Sequence, residues 1–283
     1  NTALEGANDV RATGVTGDIS AATSYANTHI DKLDLADTGS TSVTMTDAQH
    51  TKINAAIGAG DTVTINDNVT ALVANGAIEN YVLGSTSNDK ITMPTEADGS
   101  QSVDLSGGGI DQVVITENAH TATNAAGVTV KNFTTGASSE ADQVELNIAS
   151  QSYSSAAPHY KVVRDMGTDV TVTNDANLTV FEISSDVAVV TNLLDVANDG
   201  LVEAALATAL GTVNSGGSGL SNAAVAILYG AGATGGDAAA YSVSLANGAD
   251  AVTGNMTVDL LAYFDDGVEA DSFIPYNIIG SSS

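Results

Sequence analysis

The chain has 283 residues, 43% of them hydrophobic, which is long enough to bury a sizeable core in one or two domains. Its 34 Asp and Glu residues against 7 Lys and Arg residues give a net charge of -27, which argues against nucleic acid or anionic membrane as a partner. The chain has no cysteine, so disulfides and cysteine-based metal or nucleophile sites are excluded.

The chain start and the hydropathy pattern bear on location. The first residues, NTALEGANDV, lack the basic start and apolar middle of a signal peptide. No stretch reaches the roughly 20 apolar residues that a membrane span requires, so we expect no membrane insertion. Together with the acidic composition, this predicts an extracellular or cell-surface protein whose export signal has been removed or lies elsewhere.

A short motif recurs through the first half of the chain, in which an aspartate precedes apolar residues at alternate positions. Such alternation predicts strands with one buried face. The aspartates are separated by 30, 28, 22 and 31 residues, so the repeat is degenerate. The five segments are DKLDL at Asp31, DTVTI at Asp61, DKITM at Asp89, DQVVI at Asp111 and DQVEL at Asp142.

Two helices and an antiparallel β region are predicted between and beyond these strands. The segment TDAQHTKINAAIGAG has a capping box at Thr46 and Gln49 and predicts a helix that ends at Gly58. NDGLVEAALATALG predicts a helix with Asn198 or Asp199 as its cap and an apolar face. The runs AAVAILYG, AAYSVSLANG and MTVDLLAYF then predict an antiparallel meander.

These elements predict a mainly β fold with two parts. Residues 1–175 form a degenerate parallel β-solenoid or β-roll-like repeat region, because strands and turns alternate at the length of one solenoid turn. Residues 176–283 form a smaller α+β region, with a helix and the antiparallel meander.

Two glycine- and serine-rich turns precede the third and fourth aspartates. SGGGIDQVV, residues 106–114, has three glycines before Asp111, and GSTSNDKIT, residues 84–92, has serines at two corresponding positions before Asp89. These segments resemble the glycine-rich nonapeptides of the RTX and type I secretion β-roll proteins, which are exported bacterial proteins. The chain is also similar in texture to the solenoid parts of bacterial surface-layer proteins.

The resemblance implies calcium, held at turns by Asp89 and Asp111, with Asp61 and Asp142 as further ligands. Calcium takes six to eight oxygen ligands, which carboxylates and turn carbonyls supply. Against this stands a structural interpretation, in which each aspartate caps a turn by accepting backbone N–H groups. The sequence leaves both interpretations open.

Enzyme motifs are absent from the sequence. The four histidines are widely separated, and neither H-E-x-x-H nor G-x-S-x-G occurs. The run GAGATGGD lacks the Lys-Ser/Thr pair of a phosphate-binding loop. We therefore expect no enzymatic activity, and a secreted polysaccharide-acting enzyme is the least favoured alternative.

The leading functional hypothesis is a structural extracellular protein, a self-assembling subunit of a bacterial surface layer, matrix or fibre, stabilised by calcium. Its partner is then another copy of the chain, with cell-surface polysaccharide as a further partner. The alternative is a monomeric secreted adhesin or carbohydrate-binding module with exposed aromatic side chains. Its candidate aromatics are Tyr25, Tyr81, Tyr153 and Tyr160.

Overall fold

A computed structural model of the chain shows a mainly β protein whose sheets are mostly parallel. The structure describes residues 11–22, 32–35, 40–55, 60–93, 101–116, 127–136, 141–147, 158–172, 178–195, 200–215, 222–231, 236–245, 256–265 and 268–280.

The first half contributes short strands, mostly with alternating buried and exposed residues. They are β1 (Arg11–Val15), β2 (Gly17–Asp18), β3 (Lys32–Leu35), β4 (Ser42–Met45), β5 (Ile53–Ala55), β6 (Thr62–Ile65), β7 (Leu72–Val73), β8 (Asn80–Leu83), β9 (Lys90–Thr92), β10 (Ser102–Asp104), β11 (Gln112–Thr116), β12 (Val128–Lys131) and β13 (Gln143–Asn147).

The second half contributes longer strands and one helix, and a short helix lies in the first half. The strands are β14 (His159–Val163), β15 (Thr168–Val172), β16 (Thr179–Ile183), β17 (Val189–Val190), β18 (Leu210–Ser215), β19 (Asn222–Gly230), β20 (Ala238–Leu245), β21 (Met256–Asp265) and β22 (Ile278–Gly280). The helices are α1 (Asp47–His50) and α2 (Leu201–Ala209).

From β3 to β13 the chain alternates between sheets. The even-numbered strands β2 to β12 lie side by side, in chain order and in parallel, within a twelve-stranded sheet. The odd-numbered strands form a three-stranded sheet, β1-β3-β5, and most of a five-stranded sheet, β22-β13-β11-β9-β7. The alternation of side chains therefore directs one face of most of these strands into a common interior, while both residues of β2 are exposed.

After β13 the chain continues at the opposite end of the twelve-stranded sheet. β14 forms the end of that sheet, and β16, β19, β20 and β21 follow inward until β21 pairs in parallel with β12. Among the described strands, only the β19–β20 and β20–β21 pairings are antiparallel, which is the predicted meander. The predicted division at residue 175 falls between β15 and β16, and the sheet contains strands from both sides of it.

The buried apolar side chains form two clusters. One fills the interior between the alternating strands of the first half and continues along β21, β20, β19 and β16 and to β22. The other packs α2 against the strands of the second half. An aromatic group joins the C-terminal segment to the first cluster: Phe273 lies 5.9 Å from Phe133 and 5.1 Å from Phe264, centroid to centroid.

The helix predicted to run from Thr46 to Gly58 is one turn long. Thr46 is its N-cap, and the capping box with Gln49 is present as predicted. The helix ends at His50, and Ile53 instead lies in β5, where it pairs with Leu33. Pairing with an existing strand overrides local helix propensity here.

The second predicted helix is confirmed as α2, with a different cap. Its N-cap is Gly200, not Asn198 or Asp199, and no side chain caps it. Its apolar face packs inward at Val202, Leu206 and Ala209, while Leu201 is exposed. At Leu210 the backbone becomes extended and β18 begins.

Candidate functional site: the buried aspartates

The four aspartates predicted as ion ligands are buried at the starts of strands. Asp61, Asp89, Asp111 and Asp142 immediately precede β6, β9, β11 and β13, and none is more than 3% exposed. Each occupies the first inward position of the alternating pattern, because the residues two and four positions later are also buried. A carboxylate at an inward position must find hydrogen-bond partners or lose its charge.

Three of the aspartates form a column along the five-stranded sheet, which we call the aspartate column. The N–H of Asp89 donates to Oδ1 of Asp111 over 2.9 Å, and the N–H of Asp111 donates to Oδ1 of Asp142 over 2.9 Å. Oδ1 of Asp89 accepts from the N–H of Val69 at 2.8 Å, and Oδ2 of Asp142 accepts from the N–H of Thr134 at 2.7 Å. Each carboxylate therefore binds the backbone of the neighbouring strand start.

Asp61 does the same outside the column. It precedes a strand of the twelve-stranded sheet, and its Oδ1 accepts from the N–H of Thr41 at 2.9 Å. Its own N–H donates to Oε2 of Glu79 at 3.0 Å. The structure thus brings together Asp89, Asp111 and Asp142, and gives Asp61 other partners.

Three of the eight carboxylate oxygens in this set lack partners. Oδ2 of Asp61, of Asp89 and of Asp111 is buried and has no hydrogen bond within the described residues. Buried carboxylate oxygens without a partner are costly, and a proton or a cation would lower that cost.

Burial and mutual repulsion raise the pKa values in the aspartate column. Burial raises the pKa of Asp111 to about 7, and the negative charges of Asp142 and Asp89 add to the rise. Burial also raises the pKa of Asp89 and of Asp142, while their N–H donors act in the opposite direction. The column therefore favours a neutral carboxylic acid at Asp111 under mildly acidic conditions.

The geometry fits turn capping directly and gives calcium a donor set of limited size. The capping hydrogen bonds are present at all four aspartates. Among the described residues, no group of three or more His, Asp or Glu side chains is placed to hold a metal ion. The three unpartnered Oδ2 atoms are nonetheless hard oxygen donors of the kind that calcium binds, so calcium stays a prediction.

The three glycines before Asp111 have separate structural reasons. The N–H of Gly107 donates to the carbonyl of Leu83, and a Cβ at Gly107 would lie 2.3 Å from that carbonyl oxygen and 2.2 Å from that of Ser85. Gly108 and Gly109 have φ angles of 83° and 112°, which L-residues rarely adopt. The glycine turn thus stacks closely on the preceding turn, GSTSN.

A further buried carboxylate, outside the four aspartates, was not predicted from the sequence. Glu182 is 1% exposed and accepts hydrogen bonds from the hydroxyls of Tyr160 at 2.6 Å and Tyr229 at 2.5 Å. Burial raises its pKa, against the effect of the two hydroxyls. Nearby, Oδ1 of Asp271 accepts from the N–H of Ser185 at 3.0 Å. The two tyrosines are 22 and 47 residues away from Glu182 in the sequence, so no local motif predicts this cluster.

Removing one of these hydroxyls tests how much the Glu182 cluster stabilises the fold. We expect Tyr229→Phe to lower the free energy of unfolding by about 2 kcal/mol, because a buried carboxylate loses a charge-assisted hydrogen bond. Tyr241→Phe is the matched control, since its hydroxyl donates at 2.6 Å to the neutral carbonyl of Leu193 and should cost about 1 kcal/mol. Urea denaturation measures both, and a loss at Tyr229 no greater than that at Tyr241 would contradict the prediction.

Of the four aromatic residues predicted for an adhesin surface, the two that the structure describes are buried or half-buried. Tyr81 is 1% exposed, and its hydroxyl lies 2.9 Å from Nε2 of His50. Tyr160 is half-buried and bonded to Glu182, while Tyr25 and Tyr153 lie outside the described residues. Burial also lowers the pKa of His50 to about 4, so the pair is neutral near pH 7.

No family model, curated protein or solved structure matches this chain. Within the described residues, none of the helices has the length and apolar character needed to cross a membrane.

Proposed function

We propose that the chain is a structural extracellular protein: a β-solenoid that self-assembles as a subunit of a bacterial surface layer, matrix or fibre. The regular alternation of the chain between sheets from β3 to β13, with parallel neighbours throughout, supports the solenoid. The net charge of -27 suits a protein that must stay dispersed outside the cell until it docks.

The observation that carries the proposal is the state of the two ends of the twelve-stranded sheet. Within the described residues, β2 pairs only with β4, and β14 pairs only with β16. Terminal strands of this kind offer backbone donors and acceptors to another chain. A solenoid buries its interior by stacking, so its ends are natural contacts for further subunits.

Calcium enters the proposal as a stabiliser rather than as a catalyst. The unpartnered Oδ2 atoms of Asp89 and Asp111 would hold the ion, and that of Asp61 would supply a separate site. Both oxygens of Asp142 accept N–H groups, so its share as a ligand would be smaller. A bound cation would offset the repulsion between neighbouring carboxylates.

Sedimentation velocity in millimolar calcium, and again after excess chelator, tests the assembly. We expect species much larger than a 28.3 kDa monomer in calcium, because the exposed ends pair when charge repulsion is reduced. Larger species that persist after chelation would support the structural role and show that assembly does not depend on calcium. A monomer under both conditions, together with binding to a polysaccharide array, would favour the adhesin instead.

A further inference from the structure

The end of the sheet at β14 has backbone groups directed away from its neighbour. The N–H of His159 donates to the carbonyl of Leu178, and the N–H of Ser184 donates to the carbonyl of Val163. Because successive residues of a strand direct their backbone groups to opposite sides, Tyr160 and Val162 direct theirs away from β16. No other described strand pairs with β14, so this edge can accept a further parallel strand.

Apolar side chains at this end are incompletely covered. Tyr160 and Val162 are only half-buried, although they occupy the same columns as residues with almost no exposure. Their register partners in β16, Val180 and Glu182, are 0% and 1% exposed. The interior is therefore incompletely covered at β14, and a further strand placed there would bury more apolar surface.

The two ends of the sheet have matching strand directions. All strands from β2 to β12 are parallel, and β21 is parallel to β12. The two antiparallel pairings on either side of β20 cancel, so β19, β16 and β14 run in the same direction as β2. A copy placed beyond β14 with its own β2 alongside would continue the parallel sheet.

Charge favours this contact over others between copies. Lys161 and Arg164, two of the seven Lys and Arg residues in the chain, are exposed at the β14 end together with Asp165 and Asp169, so this end is close to neutral. β2 presents an exposed carboxylate, Asp18. Since the chain carries a net charge of -27, most other pairs of surfaces would repel.

We propose that copies of this chain stack head to tail, with the β14 edge of one copy paired in parallel with the β2 edge of the next. The inference rests on the proposed function and names the contact through which it operates. Two different surfaces meet, so the contact is heterologous, and the continued parallel sheet extends it into an open filament rather than a closed ring when successive copies stack along one axis. Eleven strands follow one another along the sheet, which gives an axial repeat of roughly 53 Å at the usual strand spacing.

Single-cysteine variants test the contact cleanly, because the natural chain has no cysteine. Val162→Cys and Thr16→Cys, the latter at an exposed position beside β2 that leaves Asp18 in place, are prepared separately, mixed, and treated with a short bismaleimide crosslinker. We expect the mixture to give several-fold more covalent dimer than either variant alone. Val73→Cys, 66% exposed and in β7, which is outside the twelve-stranded sheet, replaces Val162→Cys in the control mixture and should give only the background level.

The outcomes separate this contact from self-assembly in general. Crosslinking of Val162→Cys with itself would indicate a symmetric contact and overturn the head-to-tail arrangement. Large species in sedimentation velocity without crosslinked mixed dimers would also overturn the head-to-tail contact. Filaments whose axial repeat in electron micrographs is far from the expected value would do the same. Either result would leave self-assembly itself in place. Monomers throughout, with crosslinking at the background level, would overturn both.

Discussion

Asp111→Asn will make the stability of the fold less dependent on pH. Between about pH 4.5 and pH 8, the free energy of unfolding of the wild type will fall by about 2–3 kcal/mol relative to that of the variant. Burial raises the pKa of Asp111 from 3.8 to about 7 in the folded protein. A raised carboxyl pKa means that the folded chain binds a proton more tightly than the unfolded chain. Its stabilisation is therefore complete below 3.8 and is lost as the pH rises through about 7.

Asparagine retains Oδ1 as the acceptor for the N–H of Asp89 and cannot ionise. Urea denaturation at a series of pH values, with chelator present, gives the two stability curves. Asp165→Asn, at an exposed position, controls for the general loss of one negative charge. Wild-type and Asp111→Asn curves that run parallel across the range would show that the column does not hold a proton.

The same experiment in calcium separates a proton from a cation. If calcium binds the aspartate column, it stabilises the ionised carboxylates and restores the free energy of unfolding of the wild type at the alkaline end of the range. Asp111→Asn should then respond much less to calcium than the wild type. An equal response of the two proteins would place any calcium effect elsewhere in the molecule.

Gly107→Ala will lower the free energy of unfolding by about 3 kcal/mol, at the upper end of the range for overpacking. The added Cβ would lie 2.2 Å from the carbonyl oxygen of Ser85, in the preceding turn, and 2.3 Å from that of Leu83, the last residue of β8. These are backbone atoms held by the stacking of the turns, so neither can move aside without displacing a strand. The φ angle of Gly107 is outside the left-handed range, so steric contact alone accounts for the loss.

Gly108→Ala is the matched control in the same turn. A Cβ there meets nothing within 4 Å, but the φ angle of 83° is left-handed. We expect a loss of about 1 kcal/mol from backbone strain alone. Equal losses at the two positions in urea denaturation would mean that the turns do not stack closely.

The strands of the first half could be predicted because their signal is local. In DTVTI, DKITM and DQVEL the alternation of polar and apolar residues matches the inward and outward faces that the structure displays. The spacing of 22 residues between Asp89 and Asp111 is also the spacing of the residues joined by the column hydrogen bond. The glycines before Asp111 predicted a turn, but the pattern did not show that they are needed for close stacking on the preceding turn.

Other features depend on contacts that a local pattern does not contain. Ile53 joins β5 because Leu33 lies beside it, although its own neighbourhood favours a helix. Glu182 receives its two hydroxyls from strands 22 and 47 residues away. The position of β14 at the end of the sheet, rather than beside β13, follows from its pairing with β16, which no spacing predicts.

The most direct test of self-assembly is negative-stain electron microscopy of the purified chain in millimolar calcium and then after excess chelator. We predict ordered sheets or fibres in calcium, because the edge strands and the incompletely covered interior at the β14 end favour stacking of copies. Ordered assemblies that dissolve on chelation would support a calcium-dependent structural subunit. Monodisperse particles under both conditions would contradict the structural role.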